Sequence, residues 1–388
     1  MRKRNIFLLC AITFLQGMVF YAAVATLYRQ AAGLSVFEIT AIEGVSVALS
    51  LALEIPWGWA ADRLGYRRVM VLCNALFLVT KVIFWRAETF MGFLAERLLL
   101  AVVISGLSGV DASMLYLSAP PRDAQRNSGW YYAAGEAGVL LSGLLYTAFL
   151  SGQYRQTALW TVVTYAVAAV LTLFLQEVRP REARRQREPL GRLARAYFRV
   201  PGMLALVVCA ALFSEAVHCV TLYFSQLQYL RCGLGDRAIG AAFLAASLAG
   251  LCGPLSARIT RRMGQRRMGM GLLLLAALCM GALALTRSGP LSVLLIALLT
   301  ALAALFAPLT AARENALVVT DDRATALSLN AMVGDSLIVL VDMGLGRAAD
   351  ASLPLALGLG GMGCLAAMGI WGAMRAGSPP RNFFFPDN

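Results

Sequence analysis

Runs of about twenty apolar residues recur along the whole chain, and they constrain the fold more than any other feature. Residues 6–27, 204–227 and 353–374 are clear cases. Each approaches the ~20 residues with which an α-helix crosses the hydrocarbon core of a bilayer. A helix satisfies its backbone N–H and C=O groups internally, so it can stand where no solvent offers hydrogen bonds. About twelve such runs can be counted, the fifth and eleventh interrupted by carboxylates. The spacing predicts an all-α membrane protein of twelve transmembrane helices with the lipid bilayer as its solvent. Composition agrees: 59% of residues are hydrophobic and 14% charged, against roughly 45–50% and ~25% in soluble domains. The first run is too long for a cleaved signal sequence and lacks a small-residue cleavage site.

The net charge of +13 would suggest nucleic acid in a soluble protein. Here the basic residues sort by side instead. With the N-terminus in the cytoplasm, 25 of the 34 Lys and Arg fall in segments on that side. Arg29, Arg86, Arg155, Arg231, Arg237, Arg287 and Arg347 fall on the other, and Lys81 and Arg97 inside spans. This asymmetry predicts a multi-pass protein of the inner or plasma membrane with both termini cytoplasmic and no nucleic-acid partner. The eight cysteines form no Cys-x-x-Cys pair, which argues against a disulfide framework or a metal motif and makes them small hydrophobes. Neither a phosphate-binding Gly-x-x-x-x-Gly-Lys-Ser/Thr loop nor a Gly-x-Ser-x-Gly or His-Glu-x-x-His motif occurs. No enzyme activity, no metal and no cofactor are expected.

The longest polar stretch, 178–200, carries eight arginines near mid-chain. It reads as a basic cytoplasmic linker between an N-terminal six-helix bundle, 1–177, and a C-terminal one with a short tail, 201–388. The halves echo each other at an offset of 199 residues: Gly65-Tyr66-Arg67-Arg68 with Gly264-Gln265-Arg266-Arg267, Gly135-Glu136 with Gly334-Asp335, and Gln16 with Glu215. Repeated halves are the organisation of secondary transporters with a midplane site.

The run from Gly58 through Asp62, Arg63, Gly65 and Tyr66 to Arg67 and Arg68, between the second and third spans, resembles the signature loop of the major facilitator superfamily. Only Tyr66 departs from it. Glu54-Ile55-Pro56 and Arg323-Ala324-Thr325-Ala326-Leu327-Ser328 look like a subgroup rich in drug exporters. The resemblance covers essentially the whole chain. It implies two pseudo-symmetric six-helix bundles, alternating access, and a cytoplasmic gate at Gly58, Asp62, Arg63, Gly65, Arg67 and Arg68. Arg97 resembles the family's buried span-four arginine, although Ala101 stands where a glycine is expected. The exporter-associated Gly-x-x-x-Gly-Pro is absent from span five.

Charges at mid-bilayer cost about 2.5–3.5 kcal/mol on insertion scales, so they face the bundle interior and mark function. Span seven carries Glu215 and His218 three residues apart, within a polar stripe of Ser214, His218, Thr221 and Ser225. Span eleven carries Ser328, Asp335 and Asp342 at seven-residue spacing, with Asp335 expected nearest the middle. Glu136 in span five is the repeat partner of Asp335. Glu215, Asp335, Glu136 and His218 are therefore the proton-coupling candidates. Gln16, Tyr21, Arg97 and Asp111 are the substrate-cavity candidates, Arg97 being free to pair with Glu43, Glu96 or Glu136. The reading that follows is a monomeric, proton-coupled transporter that exports small amphipathic organic molecules by antiport. Uptake of a nutrient on the same fold is the alternative.

Overall fold

The computed structural model describes residues 2–107, 110–118, 124–178, 202–317 and 323–374. The side chains of 54–55, 58–63 and 323–332 lie outside that description, as do all but Val178 of the expected linker. Among the described residues the chain is helical and contains no strand. The helices are α1 (Arg2–Gly17), α2 (Ala25–Ala31), α3 (Val36–Leu64), α4 (Tyr66–Arg86), α5 (Phe90–Leu107), α6 (Val110–Leu117), α7 (Ala124–Leu145) and α8 (Tyr154–Thr172). After the linker come α9 (Met203–His218), α10 (Ser225–Arg231), α11 (Asp236–Gly250), α12 (Ser256–Met263), α13 (Gln265–Leu285), α14 (Gly289–Leu317), α15 (Arg323–Ala351) and α16 (Leu353–Ala373). Ten described spans are long and apolar enough to cross a membrane. Helices α8 and α15, with 19 and 29 residues, have the length but a more polar composition.

The chain forms two compact units. The first comprises Met1–Arg184 together with Gln226–Ala245; the second comprises Arg185–Ser225 together with Ala246–Asn388. The returning segment is fastened into the first unit by polar contacts. Gln226 Oε1 accepts from the backbone N–H groups of Thr26 and Leu27, at 2.9 and 3.2 Å, in the opening turn of α2. A first turn has no intrahelical acceptors for these groups, so Gln226 acts as its cap. Tyr154 Oη donates to Asp236 Oδ1 at 3.0 Å.

In the first unit α1 packs on α7 and α8, and α4 on α5 and α8. Helices α1 and α7 meet backbone to backbone. A Cβ on Gly17 would fall on the Gly135 carbonyl, and one on Gly138 on the Phe14 carbonyl. Small residues at a helix crossing allow this approach, and close packing drives association where lipid removes the hydrophobic drive. In the second unit α9 packs on α14, α15 and α16, and α13 on α16. The core there centres on Phe213, Phe306 and Trp371, with ring centroids 4.4 and 5.5 Å apart.

The internal repeat extends into hydrogen bonding. Arg67 Nη2 donates to the Leu173 carbonyl at 2.9 Å, and Arg266 Nη2 donates to the Gly372 carbonyl at 2.7 Å. Both donors and both acceptors are related by the 199-residue offset. Helices α4 and α13 have equal length and start at the same offset, each after a glycine with positive φ, Gly65 at 88° and Gly264 at 80°. That left-handed backbone suits glycine alone among ordinary residues.

Candidate functional site

Each unit's first helix is irregular at the same place. In the first unit, α1 ends at Gly17 and regular helix resumes only at Ala25, with a 3₁₀ turn at Ala22–Val24. In the second unit, α9 passes at Cys219 into a π-helical stretch, Cys219–Phe224, before α10. Residues 18–24 displaced by 199 become 217–223, which overlaps that stretch. Irregular backbone at membrane depth is tolerated where protein or a polar cavity satisfies it, and transporters build binding sites there.

Side chains of α8 satisfy the first interruption. Thr161 Oγ1 accepts from the Phe20 N–H at 3.1 Å, Thr164 Oγ1 donates to the Met18 carbonyl at 3.3 Å, and Tyr165 Oη donates to the Gln16 carbonyl at 2.8 Å. Gln16 Nε2 donates to Asn74 Oδ1 at 2.7 Å. Three and seven residues beyond Asn74 on α4 stand Phe77 and Lys81. The Lys81 ammonium, 6% exposed, donates to Tyr21 Oη at 3.2 Å. It also faces the rings of Phe77, Tyr165 and Tyr21 at 5.0, 5.0 and 5.9 Å. Negative ring faces compensate a buried cation, which accounts for its tolerance here. Gln16 and Tyr21 thus belong to one cluster, and Lys81 is the member that sequence reasoning did not select.

Arg97 pairs with Glu43 at 2.9 Å and lies 3.8 Å from Glu96. Glu136 is exposed on α7, so of the three partners considered for Arg97 the structure selects Glu43 and Glu96. Glu96 is 1% exposed, and its Oε2 accepts no hydrogen bond among the described residues. Asp111 stands apart from Lys81, accepting from Tyr131 Oη at 2.8 Å.

The second unit holds a buried acid pair. Glu215, 4% exposed on α9, and Asp342, 1% exposed on α15, converge on the Cys219 thiol. The thiol donates to Asp342 Oδ1 at 2.9 Å and lies 3.8 Å from Glu215 Oε1. One oxygen of each carboxylate and the sulfur all lie within 4.8 Å of one another. Two carboxylates this close and this buried repel each other when both are charged. The same donors, two hard oxygens and a soft sulfur, could also hold a metal ion.

The other acid candidates do not join this pair. Asp335 is half-buried, one seven-residue repeat before Asp342, and it is Asp342 whose carboxylate lies within 4.8 Å of that of Glu215. His218 is exposed, with its ring edge-on to Tyr223 at 5.9 Å, rather than turned inward with Glu215. Of the gate residues, Arg67 holds the Leu173 carbonyl and Arg68 is exposed. A Cβ on Gly65 would stand 2.7 Å from a Glu177 carboxylate oxygen. The side chains of Asp62 and Arg63, and the position of Gly58 against its neighbours, lie outside the described residues.

Comparison with known proteins follows this geometry. Residues 6–341 match the sequence profile of the Major Facilitator Superfamily. No protein of curated function matches the chain. Among solved structures, a point mutant of the nucleoside transporter NupG superposes with a TM-score of 0.82 at 14% identity, over 95% of this chain and 98% of that one. A bacterial homologue of the human lysosomal transporter Spinster, inward-facing and unoccupied, gives 0.72 at 18% identity, over 95% and 94%. A POT family transporter in complex with 5-aminolevulinic acid gives 0.73 at 14% identity, over 95% of each chain. These likenesses concern the fold.

Proposed function

Because the chain belongs to the major facilitator superfamily, and is therefore a membrane transporter and not an enzyme, we propose that it couples proton movement to the transport of a small organic molecule. The observation that carries this reading is the Glu215–Asp342 pair, buried at the irregular stretch of the second unit's first helix. A carboxylate pair that holds one proton is a charge that can be loaded on one side of a membrane and unloaded on the other. A membrane potential supplies ~2.3 kcal/mol per charge per 100 mV, enough to drive accumulation.

On this reading twelve helices span the membrane, α8 and α15 completing the ten apolar ones, with both termini in the cytoplasm and the protein working as a monomer. The motif around Asp62 forms the cytoplasmic gate. The direction we propose is export of small amphipathic compounds, on the resemblance of Glu54-Ile55-Pro56 and the run from Arg323 to Ser328 to drug exporters. An exporter exchanges substrate for protons, and a proton and a substrate group competing for one acid pair suit that exchange.

A compound panel presented to inside-out vesicles, with a trapped pH-sensitive dye, tests both halves of the proposal. A compound that dissipates an imposed inside-acid proton gradient names the substrate class and shows export by proton exchange. Accumulation driven only by an inward gradient in right-side-out vesicles would assign uptake and overturn the direction. Transport that ignores the proton gradient in both would overturn the coupling.

A further inference from the structure

We propose that the arginine-rich elbow formed by α12 and the start of α13 binds the headgroup of an anionic phospholipid. The inference goes beyond the transport reading and does not depend on its proton coupling. Helix α12 closes one apolar span at Met263, and the next span begins at Gln265. The elbow therefore stands at the level of a membrane surface. Arg258, Arg261 and Arg262 follow i, i+3, i+4 spacing and share one face of α12. All three are exposed, as are Arg266 and Arg267 beyond the turn at Gly264. The opposite face of α12 is tied down. Ser256 Oγ donates to the Leu305 carbonyl on α14 at 2.7 Å, and Thr260 Oγ1 donates to Met268 Sδ on α13 at 2.9 Å. This packing turns the three guanidinium groups of α12 outward.

The chain supplies little to answer this charge. Among the described residues none of these arginines pairs with a carboxylate. The sequence has no Asp or Glu between Asp236 and Glu314. Arg266 is spent on the Gly372 carbonyl. Like charges at i, i+3 and i+4 weaken a helix, so this face gains from an external anion. The internal repeat shows what has changed. Displaced by 199 residues, Arg262, Arg266 and Arg267 fall on Arg63, Arg67 and Arg68, but Arg258 and Arg261 fall on Trp59 and Asp62. The second unit thus has two cations where the first has an aromatic ring and an acid. A guanidinium grips phosphate oxygens through two parallel N–H donors. Exposed Leu255 and Met263 bracket the arginines of α12, which suits a ligand with a phosphate head and an apolar tail. Clusters of about four to eight basic residues beside a transmembrane helix bind anionic lipid, each residue worth about fivefold in association.

The probe is a short-chain phosphatidylglycerol, with the phosphatidylcholine of the same chains as reference. Each is titrated into the purified full-length protein in a non-ionic detergent, and binding is followed by calorimetry. Wild type should bind phosphatidylglycerol more tightly than phosphatidylcholine, and the preference should shrink as salt rises. The triple variant Arg258→Gln, Arg261→Gln, Arg262→Gln should weaken phosphatidylglycerol binding by about fivefold or more and leave phosphatidylcholine unchanged. Arg261→Asp installs the residue that the first unit carries at the equivalent position. It should also weaken phosphatidylglycerol binding, and it keeps the test open if the triple variant does not fold. Equal affinity of wild type and the folded variants for phosphatidylglycerol would overturn the proposal. Equal losses for the two lipids would place the binding in apolar contacts and overturn it as well. Displacement of phosphatidylglycerol by an equal concentration of inorganic phosphate would assign a free-anion site instead of a lipid site. The assay contains no substrate and no proton gradient, so each of these results leaves the transport reading untouched.

Discussion

Gly138→Ala should weaken the first unit although it adds a single methyl group and improves helix propensity. At an unconstrained helical site, alanine in place of glycine gains about 1 kcal/mol. At Gly138 the new carbon would fall on the Phe14 backbone carbonyl, with Gly17 backbone also in contact. Neither can move aside as a flexible side chain would, so α1 and α7 must part by on the order of 1 Å. A gap of that size forfeits a quarter to a half of each van der Waals well along the seam. Over-packing costs run ~1–3 kcal/mol, and two backbones in contact place this site at the upper end. The net expectation is a loss of about 2 kcal/mol. The matched control is Gly358→Ala on α16, where nothing lies within 4 Å of the added carbon and a gain of up to ~1 kcal/mol is expected. Heating both variants in one detergent and measuring the fraction that stays monodisperse should separate them on opposite sides of wild type. Equal survival would refute the claim that α1 and α7 are joined by their glycines.

Three more outcomes follow from particular contacts. Lys81→Met removes the hydrogen bond to Tyr21 and the cation–ring contacts with Phe77 and Tyr165 and should destabilise by ~1–3 kcal/mol; an unchanged melting temperature in detergent would show that the rings do not hold the cation. Gln226→Ala leaves the Thr26 and Leu27 N–H groups without their acceptor and should cost ~1–3 kcal/mol, while Gln226→Glu, which still accepts, should cost less in the same melting assay. Arg155 holds the exposed Glu88 carboxyl below its ordinary range, so the pair's small stabilisation is present above the unfolded carboxyl's pKa and fades as pH falls through the folded one. Stability of Glu88→Gln relative to wild type, measured across acidic pH, should converge at the low end.

Much of this was legible in the sequence because apolar length, charge sidedness and a 199-residue offset are local or additive signals. The offset paired Gln16 with Glu215, and both lie beside the irregular stretch of their unit's first helix. Partner choice was not legible. Asp342 shared a seven-residue stripe with Asp335, yet the sequence could not tell which would meet α9, since residues on one face differ in depth and the relative height of two helices is set by their packing. Cys219 read as a small hydrophobe for the same reason: its carboxylate neighbours include one 123 residues away. Lys81 was visible as an intramembrane charge, but its cage is assembled from α4, α8 and the broken first span. The signal that could have found it was the i, i+3, i+7 spacing of Asn74, Phe77 and Lys81.

The most direct measurement is proton exchange by Glu215→Gln and Asp342→Asn proteins in proteoliposomes with a trapped pH indicator, using the compound that the vesicle panel selects. If the pair carries the proton, each variant loses proton-driven transport of that compound or shifts its pH dependence. Full proton-coupled transport by both variants, at wild-type pH dependence, would contradict the assignment of proton coupling to this pair.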